Sequence, residues 1–285
     1  MAQCDDDEQG NVPTSSTSYP HPLSMVPNSD TATQFFNIQV WLSQQLKPVH
    51  FSDPVFMTYN PMEYAGGLYF YFLQRFCIAT KRILILGMNP GPWGMGQTGV
   101  PFGDIDTVKY YLGLEELGGF IGQPSPQHPA KKVTGLKCHR KEVSGAKLWG
   151  VIKKLTNDCP AQQALLNLCV HNFCPLIFMG TSGRNLTPDE VKAGSSKEQL
   201  FNLCSIALSY SLDVLGCKYI ISVGRFAEKR ARSVIKTFDK SQKVLEIPHP
   251  SPRNATSRAN WEENVISILS TADLLSEFSN PIQYT

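Results

Sequence analysis

Apolar residues cluster in this chain in two ways, as short unbroken runs and as stripes at helical spacing. Ile83-Leu84-Ile85-Leu86 is a buried-strand run, and the same pattern predicts strands at 82–87, 168–173, 218–223 and 243–248. Helical spacing predicts helices at 34–47, 64–77, 104–112, 145–157, 160–167, 196–215, 225–238 and 260–278. In the first, Phe35, Phe36, Val40, Trp41 and Leu42 supply the apolar face. The Tyr- and Phe-rich stripe of the second is expected in the core, since aromatics at helical spacing pack inward. Ser144 is placed to cap the helix at 145–157. Thr187-Pro188-Asp189-Glu190 has a capping-box pattern with proline at the first helical position. Arg225, Lys229, Arg230 and Arg232 read as a solvated helix face. Strands alternating with helices imply a parallel sheet between helical layers, an α/β three-layer α/β/α sandwich.

The strand at 82–87 runs into a loop of unusual composition. Glycine or proline fills nine of the seventeen positions from Gly87 to Gly103, a density that predicts no helix there. Ligands in open α/β sheets bind outside the carboxyl ends of strands. No Gly-Lys-Ser/Thr follows the glycines, and Pro90 and Pro92 remove amide donors that a phosphate would use. The loop therefore presents a side chain, Asn89, rather than a phosphate cradle. Two more predicted strands end in polar residues: Asn172 in Cys169–Leu176, and His249 in His249–Asn254. Parallel strands would bring Asn89, Asn172 and His249 to one edge of the sheet.

These segments together resemble the uracil-DNA glycosylase superfamily, in its single-strand-selective monofunctional branch. The matching runs are GMNPGP at 87–92, TGVPFG at 98–103, SGAKLWG at 144–150, VHNFCPL at 170–176, SGRNLTP at 182–188 and HPSPRN at 249–254. They run in matching order from about Phe51 onward. The mismatch-specific thymine/uracil branch has Ile where Met88 stands, and the archetypal branch has an Asp-Pro-Tyr run that is missing here. Trp93 stands where close relatives often carry Phe.

The resemblance implies a four-stranded, mainly parallel sheet and a reaction, hydrolysis of the N-glycosidic bond of uracil in DNA. That chemistry needs a flipped-out base. It implies that Asn89 positions the attacking water and that His249 donates a hydrogen bond to uracil O2 as negative charge develops. Asn172 would read N3–H and O4, Phe102 would stack on the base, and Met88 would offer backbone contacts. Gly91 stands near where the archetypal branch has a bulky tyrosine, so it would leave room for a 5-substituent such as hydroxymethyl. Pro250, Ser251, Pro252, Arg253 and Asn254 resemble the segment that enters duplex DNA. His171 has no such support and reads as structural. No lysine lies in the matched strand-end runs, Lys147 of SGAKLWG falling in a predicted helix, so a monofunctional enzyme without strand cleavage is expected. Two other readings stay open: a mismatch-type thymine/uracil glycosylase, and a silent DNA-binding module.

Composition narrows the setting. A 285-residue chain with 42% hydrophobic residues can bury one full core, which assigns 34–285 to a single catalytic domain. Residues 1–33 hold five of the 24 acidic side chains and none of the 26 basic ones, and are expected to be a disordered tail. The remainder has 26 basic against 19 acidic residues, a net +7 that suits DNA. No secretory leader or membrane span is expected. Eight cysteines without a Cys-x-x-Cys pair predict reduced thiols, no metal and no iron–sulfur cluster. A monomer without cofactor, working in the nucleus on single- and double-stranded DNA, is the expectation.

Overall fold

The computed structural model of the protein describes residues 29–251 and 260–279. Its centre is a four-stranded, all-parallel sheet made of β2 (Ile83–Gly87), β3 (Leu168–Asn172), β6 (Tyr219–Val223) and β7 (Lys243–Ile247), in the order β3-β2-β6-β7. All five residues of β2 and all five of β3 are buried. Parallel strands covered on both faces have no solvent side, which is why their sequences run apolar without alternating. The register sets Leu86 against His171 and Gly87 against Asn172. On the other side Leu86 lies against Ser222.

The helices form two packed groups. α1 (Thr31–Leu46) lies on α2 (Pro61–Phe76) and on α6 (Ser195–Leu215), and α6 in turn touches α7 (Arg225–Thr237). The second group is α4 (Val143–Leu155), α8 (Trp261–Thr271) and α9 (Leu275–Ser279). The crossover from β2 to β3 runs toward one edge of the sheet, and those through α6 and α7 run toward the other. Right-handed crossovers therefore place α4 on the opposite face from α6 and α7.

Several boundaries differ from the sequence reading. α1 begins at Thr31, inside the stretch assigned to the tail, because Asp30 caps it: its carboxylate accepts the Thr33 amide at 2.8 Å. Residues 1–28 of that tail lie outside the described residues. The residue capping α4 is Glu142, so Ser144 sits within the first turn. The helix expected at 160–167 shrinks to α5 (Ala161–Ala164), and the one at 104–112 carries a π turn at Thr107–Tyr111. A break at Ala272 and Asp273 divides the last helix, Asp273 taking a φ of +55°. The glycine-rich loop does contain one helical turn, α3 (Met95–Thr98), ended by Gly99 at a φ of +75°. Prolines flank that turn without interrupting it, so composition over the whole loop hid it.

A second sheet was invisible to pattern analysis. β1 (Met57–Tyr59), β4 (Ile177–Met179) and β5 (Asn185–Leu186) form an antiparallel sheet in the order β1-β4-β5. Strands of two or three residues are too short to show an alternation.

His171 lies in the core. Its Nδ1 is 3.2 Å from the Tyr69 hydroxyl and its ring meets Phe35 edge-on at 5.0 Å. Burial pushes its pKa down to about 3, against an ordinary value of 6.5. A histidine buried neutral stabilises the fold above the unfolded pKa, and that contribution is lost as the pH falls toward the folded one. Lowering the pH from 7 to 5 should therefore remove about 2 kcal/mol of unfolding free energy through this residue. Urea denaturation at the two pH values should show the loss in the wild type and a smaller one in His171→Phe.

Candidate active site

A cavity of about 570 Å³ opens at the carboxyl edge of the parallel sheet, lined by the ends of β2, β3 and β7 and the loops that follow them. Asn89, Met88, Gly91, Phe102, Asn172, His249 and Ser251 all line it. The sheet brings these together because parallel strands end at one side.

Two of the polar side chains are tied by one atom each. Asn89 donates from Nδ2 to the Leu176 carbonyl at 3.0 Å, which fixes the amide and leaves Oδ1 as its acceptor. Nδ1 of His249 accepts the Ser251 amide at 3.1 Å. That bond assigns the ring proton to Nε2, making Nε2–H a donor. Burial pushes the His249 pKa below its ordinary value, so the ring is neutral at pH 7. Its position is set from both sides. Trp261 Nε1 donates to the Pro248 carbonyl at 2.9 Å. Gly224, at a φ of +86°, lies where a Cβ would sit 3.2 Å from the His249 Cβ.

The floor is built around Gly87. A Cβ there would fall 2.3 Å from Asn172 Oδ1 and 2.6 Å from the Phe102 ring. Only a residue without a side chain lets these two groups meet over the end of β2. Asn172 is buried, with Nδ2 3.4 Å from the Met95 sulfur. Phe102 takes a φ of +53°, rare for a side-chain-bearing residue. Its carbonyl holds it there, accepting from Trp149 Nε1 at 3.1 Å and from the Asp104 amide at 2.8 Å. Gly145 lets α4 come this close, since a Cβ on it would lie 2.1 Å from the same carbonyl. Gly145 and Trp149 are four apart on α4 and so share a face.

Two expectations change. Gly91 does not open empty space, because a Cβ there would be 2.4 Å from Glu142 Oε2. The carboxyl of Glu142 fills that direction. Burial raises its pKa, with the Ser144 and Gly145 amides pulling the other way. Pro250 is buried and does not line the cavity, so it shapes the turn between His249 and Ser251. The Met88 carbonyl is occupied by the Cys174 amide at 2.9 Å. Pro252, Arg253 and Asn254 lie outside the described residues.

The sequence reading missed several lining groups. Glu142, Lys131 and Lys141 line the cavity, as do Arg184, Asn185 and Thr187 of the SGRNLTP run. Oδ1 of Asn185 is buried with no hydrogen-bond partner among the described residues. Glu142 lies two residues before the matched run at 144–150, which was the available signal for it. Nothing local marked the two lysines. Among the described residues no group of three or more His, Cys, Asp or Glu side chains could hold a metal ion.

The arrangement can polarise a water at Asn89 Oδ1, hydrogen-bond a developing anion from His249 and hold a planar ring against Phe102. The family model of the Uracil DNA glycosylase superfamily matches residues 74–270. The chain is 41% identical over 232 residues to the single-strand selective monofunctional uracil DNA glycosylase of Mus musculus, with 81% of each chain covered. It is 40% identical to that of Bos taurus, covering 81% of this chain and 83% of the relative. The crystal structure of wild-type Pedobacter heparinus SMUG2 superposes with a TM-score of 0.57 at 16% identity, covering 84% of this chain and 98% of that one. At that identity the likeness speaks to the fold alone.

Gly87→Ala tests the geometry of the floor. Its methyl must displace Asn172 or Phe102, and overpacking of this kind costs about 1–3 kcal/mol. Thermal unfolding should show that loss, and a crystal structure of the variant should show Asn172 or the Phe102 ring moved. Unchanged positions for both would refute the account of the floor.

Proposed function

The chain belongs to the uracil DNA glycosylase superfamily, and from that premise we propose how this cavity works as a monofunctional uracil-DNA glycosylase of base excision repair. The enzyme hydrolyses the bond between deoxyribose and uracil and leaves an abasic site. One observation carries the assignment of roles: Asn89 and His249 face one cavity, each with its other polar atom already engaged by the backbone.

Departure of uracil leaves positive charge on the sugar and negative charge on the base. Asn89 Oδ1 accepts a hydrogen bond from the attacking water and aims it at C1′. An amide is too weak a base to deprotonate that water early, which suffices when the glycosidic bond breaks first. His249 Nε2–H donates to uracil O2 as charge grows there. Its neutral state is supported by the depressed pKa, and its fixed tautomer means no reorganisation during the reaction. Asn172 reads the Watson–Crick edge and Phe102 stacks on the flipped base, a contact worth roughly 1–3 kcal/mol. Ser251 and the segment Pro252-Arg253-Asn254 that follows it contact the strand.

The substrate range extends to 5-substituted uracils, in single strands and in duplexes. Gly91 adds no side chain to the cavity, and the group beside it, Glu142, can accept a hydrogen bond from a 5-hydroxymethyl group. The enzyme acts as a monomer. A nuclear site of action follows from this reading alone, as the place of the DNA substrate.

Asn89→Ala should lose most base release while keeping fold and DNA affinity; a near wild-type rate would sink its role. His249→Leu should slow single-turnover base release by roughly 10²–10³, the usual loss for one anion-stabilising donor. An effect on binding alone would remove His249 from O2. Glu142→Met should depress excision of 5-hydroxymethyluracil relative to uracil by on the order of tenfold, the worth of one hydrogen bond. An unchanged ratio of the two rates would put the 5-position elsewhere. Gly91→Tyr is a poorer probe, because its side chain would collide with Glu142 and disturb both substrates.

A further inference from the structure

Between Ile121 and Lys141 the chain carries Lys131, Lys132, Lys137, Arg140 and Lys141 and no acidic residue. Among the described residues none of these five cations is in an ion pair. Lys131 and Arg140 come from opposite ends of the loop and meet at one ring: the Lys131 ammonium is 4.5 Å from the Trp93 ring centroid and the Arg140 guanidinium is 5.0 Å from it. Trp93, Lys131 and Lys141 line the same cavity as Asn89 and His249. Lys137, Arg140 and Lys141 line a neighbouring concavity of about 560 Å³ that shares Lys141 with the first. Two carboxylates also face that concavity. Asp104 is buried and accepts the Glu142 amide at 3.1 Å, and Asp106 is exposed.

Like charges gathered on one ring repel each other, and an indole face offsets only part of that. Burial and then the Arg140 charge push the Lys131 pKa below its ordinary value. The cluster is thus assembled at an electrostatic cost, and no acid of the described residues forms an ion pair with it, although Glu142 lines the same cavity. An anion would relieve it, and Trp93 and Lys131 of the cluster line the cavity to which the proposed function assigns the flipped nucleotide.

We propose that Lys131 and Arg140, gathered on Trp93, form a phosphate-binding station of the single-stranded DNA path, with Lys137 and Lys141 continuing it along the neighbouring concavity. This rests on the glycosylase reading, since the strand must enter the cavity for its next phosphates to reach the loop. The station lies on the 131–141 side of the mouth and supplies affinity without sequence preference. Trp93 holds the two cations and offers an edge on which a neighbouring base can pack.

The test is the salt dependence of binding to an oligothymidylate of about a dozen nucleotides, which contains no uracil and needs no chemistry. In single strands each phosphate contact contributes about 0.7 to the slope of log K against log salt. Lys131→Gln combined with Arg140→Gln should lower the slope by about 1.4 and weaken binding about 25-fold near 0.1 M salt. Its thermal midpoint should stay at the wild-type value. A wild-type slope and affinity in the folded double variant would overturn the inference and leave the glycosylase reading intact. A wild-type protein whose binding ignores salt would also overturn the inference, whereas only failure to release uracil from a uracil-containing strand would overturn the glycosylase reading. If the double variant does not fold, Lys137→Gln with Lys141→Gln decides by the same measurement, since both sit in the same path.

Discussion

The whole site hangs on the parallel register of β2 and β3, which sets Gly87 opposite Asn172. Both strands are buried on both faces, so a shift by one residue would change which side chain ends the strand and which lies in the core. With this register His171 goes inward to Tyr69 and Phe35, while Asn172 ends at the cavity. Gly87 then does what no other residue could at that point: it leaves room for the Asn172 amide and the Phe102 ring to meet above the backbone. A strand end, usually a place where order is lost, becomes the rigid floor of the cavity.

The loop after β2 is long and makes backbone bonds of its own, among them Gly96 to the Gly91 carbonyl at 2.9 Å and Gly99 to the Met95 carbonyl at 2.8 Å. It is also clamped from outside. The Phe102 carbonyl is held by Trp149 of α4, and Gly145 of the same helix allows the approach. Residues in sparsely populated backbone regions persist when their surroundings over-determine them, and such strain collects at functional sites. Here the surroundings are one indole donor, one loop amide and one missing side chain. The carboxyl of Glu142 fills the gap next to Gly91 and Gly94, so the loop is packed on the cavity side as well.

A common device holds two of the polar groups. Asn89 and His249 are each engaged at one atom by the backbone, of Leu176 and Ser251, and so present the other in a fixed sense. Fixing donors and acceptors before the substrate arrives is what makes electrostatic stabilisation effective, because no reorganisation is needed when charge develops. The cationic loop at 131–141 is the opposite case. Its five cations make no ion pair among the described residues, which suits a surface that must attract a polyanion but not position atoms.

The sequence by itself determined the sheet, its four strands to within a residue or two at each end, and the side on which the functional residues gather. Buried parallel strands write themselves as unbroken apolar runs, and strand ends write themselves as polar breaks, so Asn89, Asn172 and His249 could be picked out in advance. Capping chemistry was legible where it is local: the box at Thr187 and Glu190 is present as read. It failed at α4, where the choice between Glu142 and Ser144 depended on the Asp104 carboxylate, 38 residues away in the chain. The small antiparallel sheet escaped because its strands are too short to carry a period. Only tertiary structure could decide what fills the space beside Gly91, which atom of His249 keeps the proton, and that two distant cations meet on Trp93. Each of those depends on a contact between segments remote in sequence, and a one-dimensional pattern holds no record of which remote segments touch.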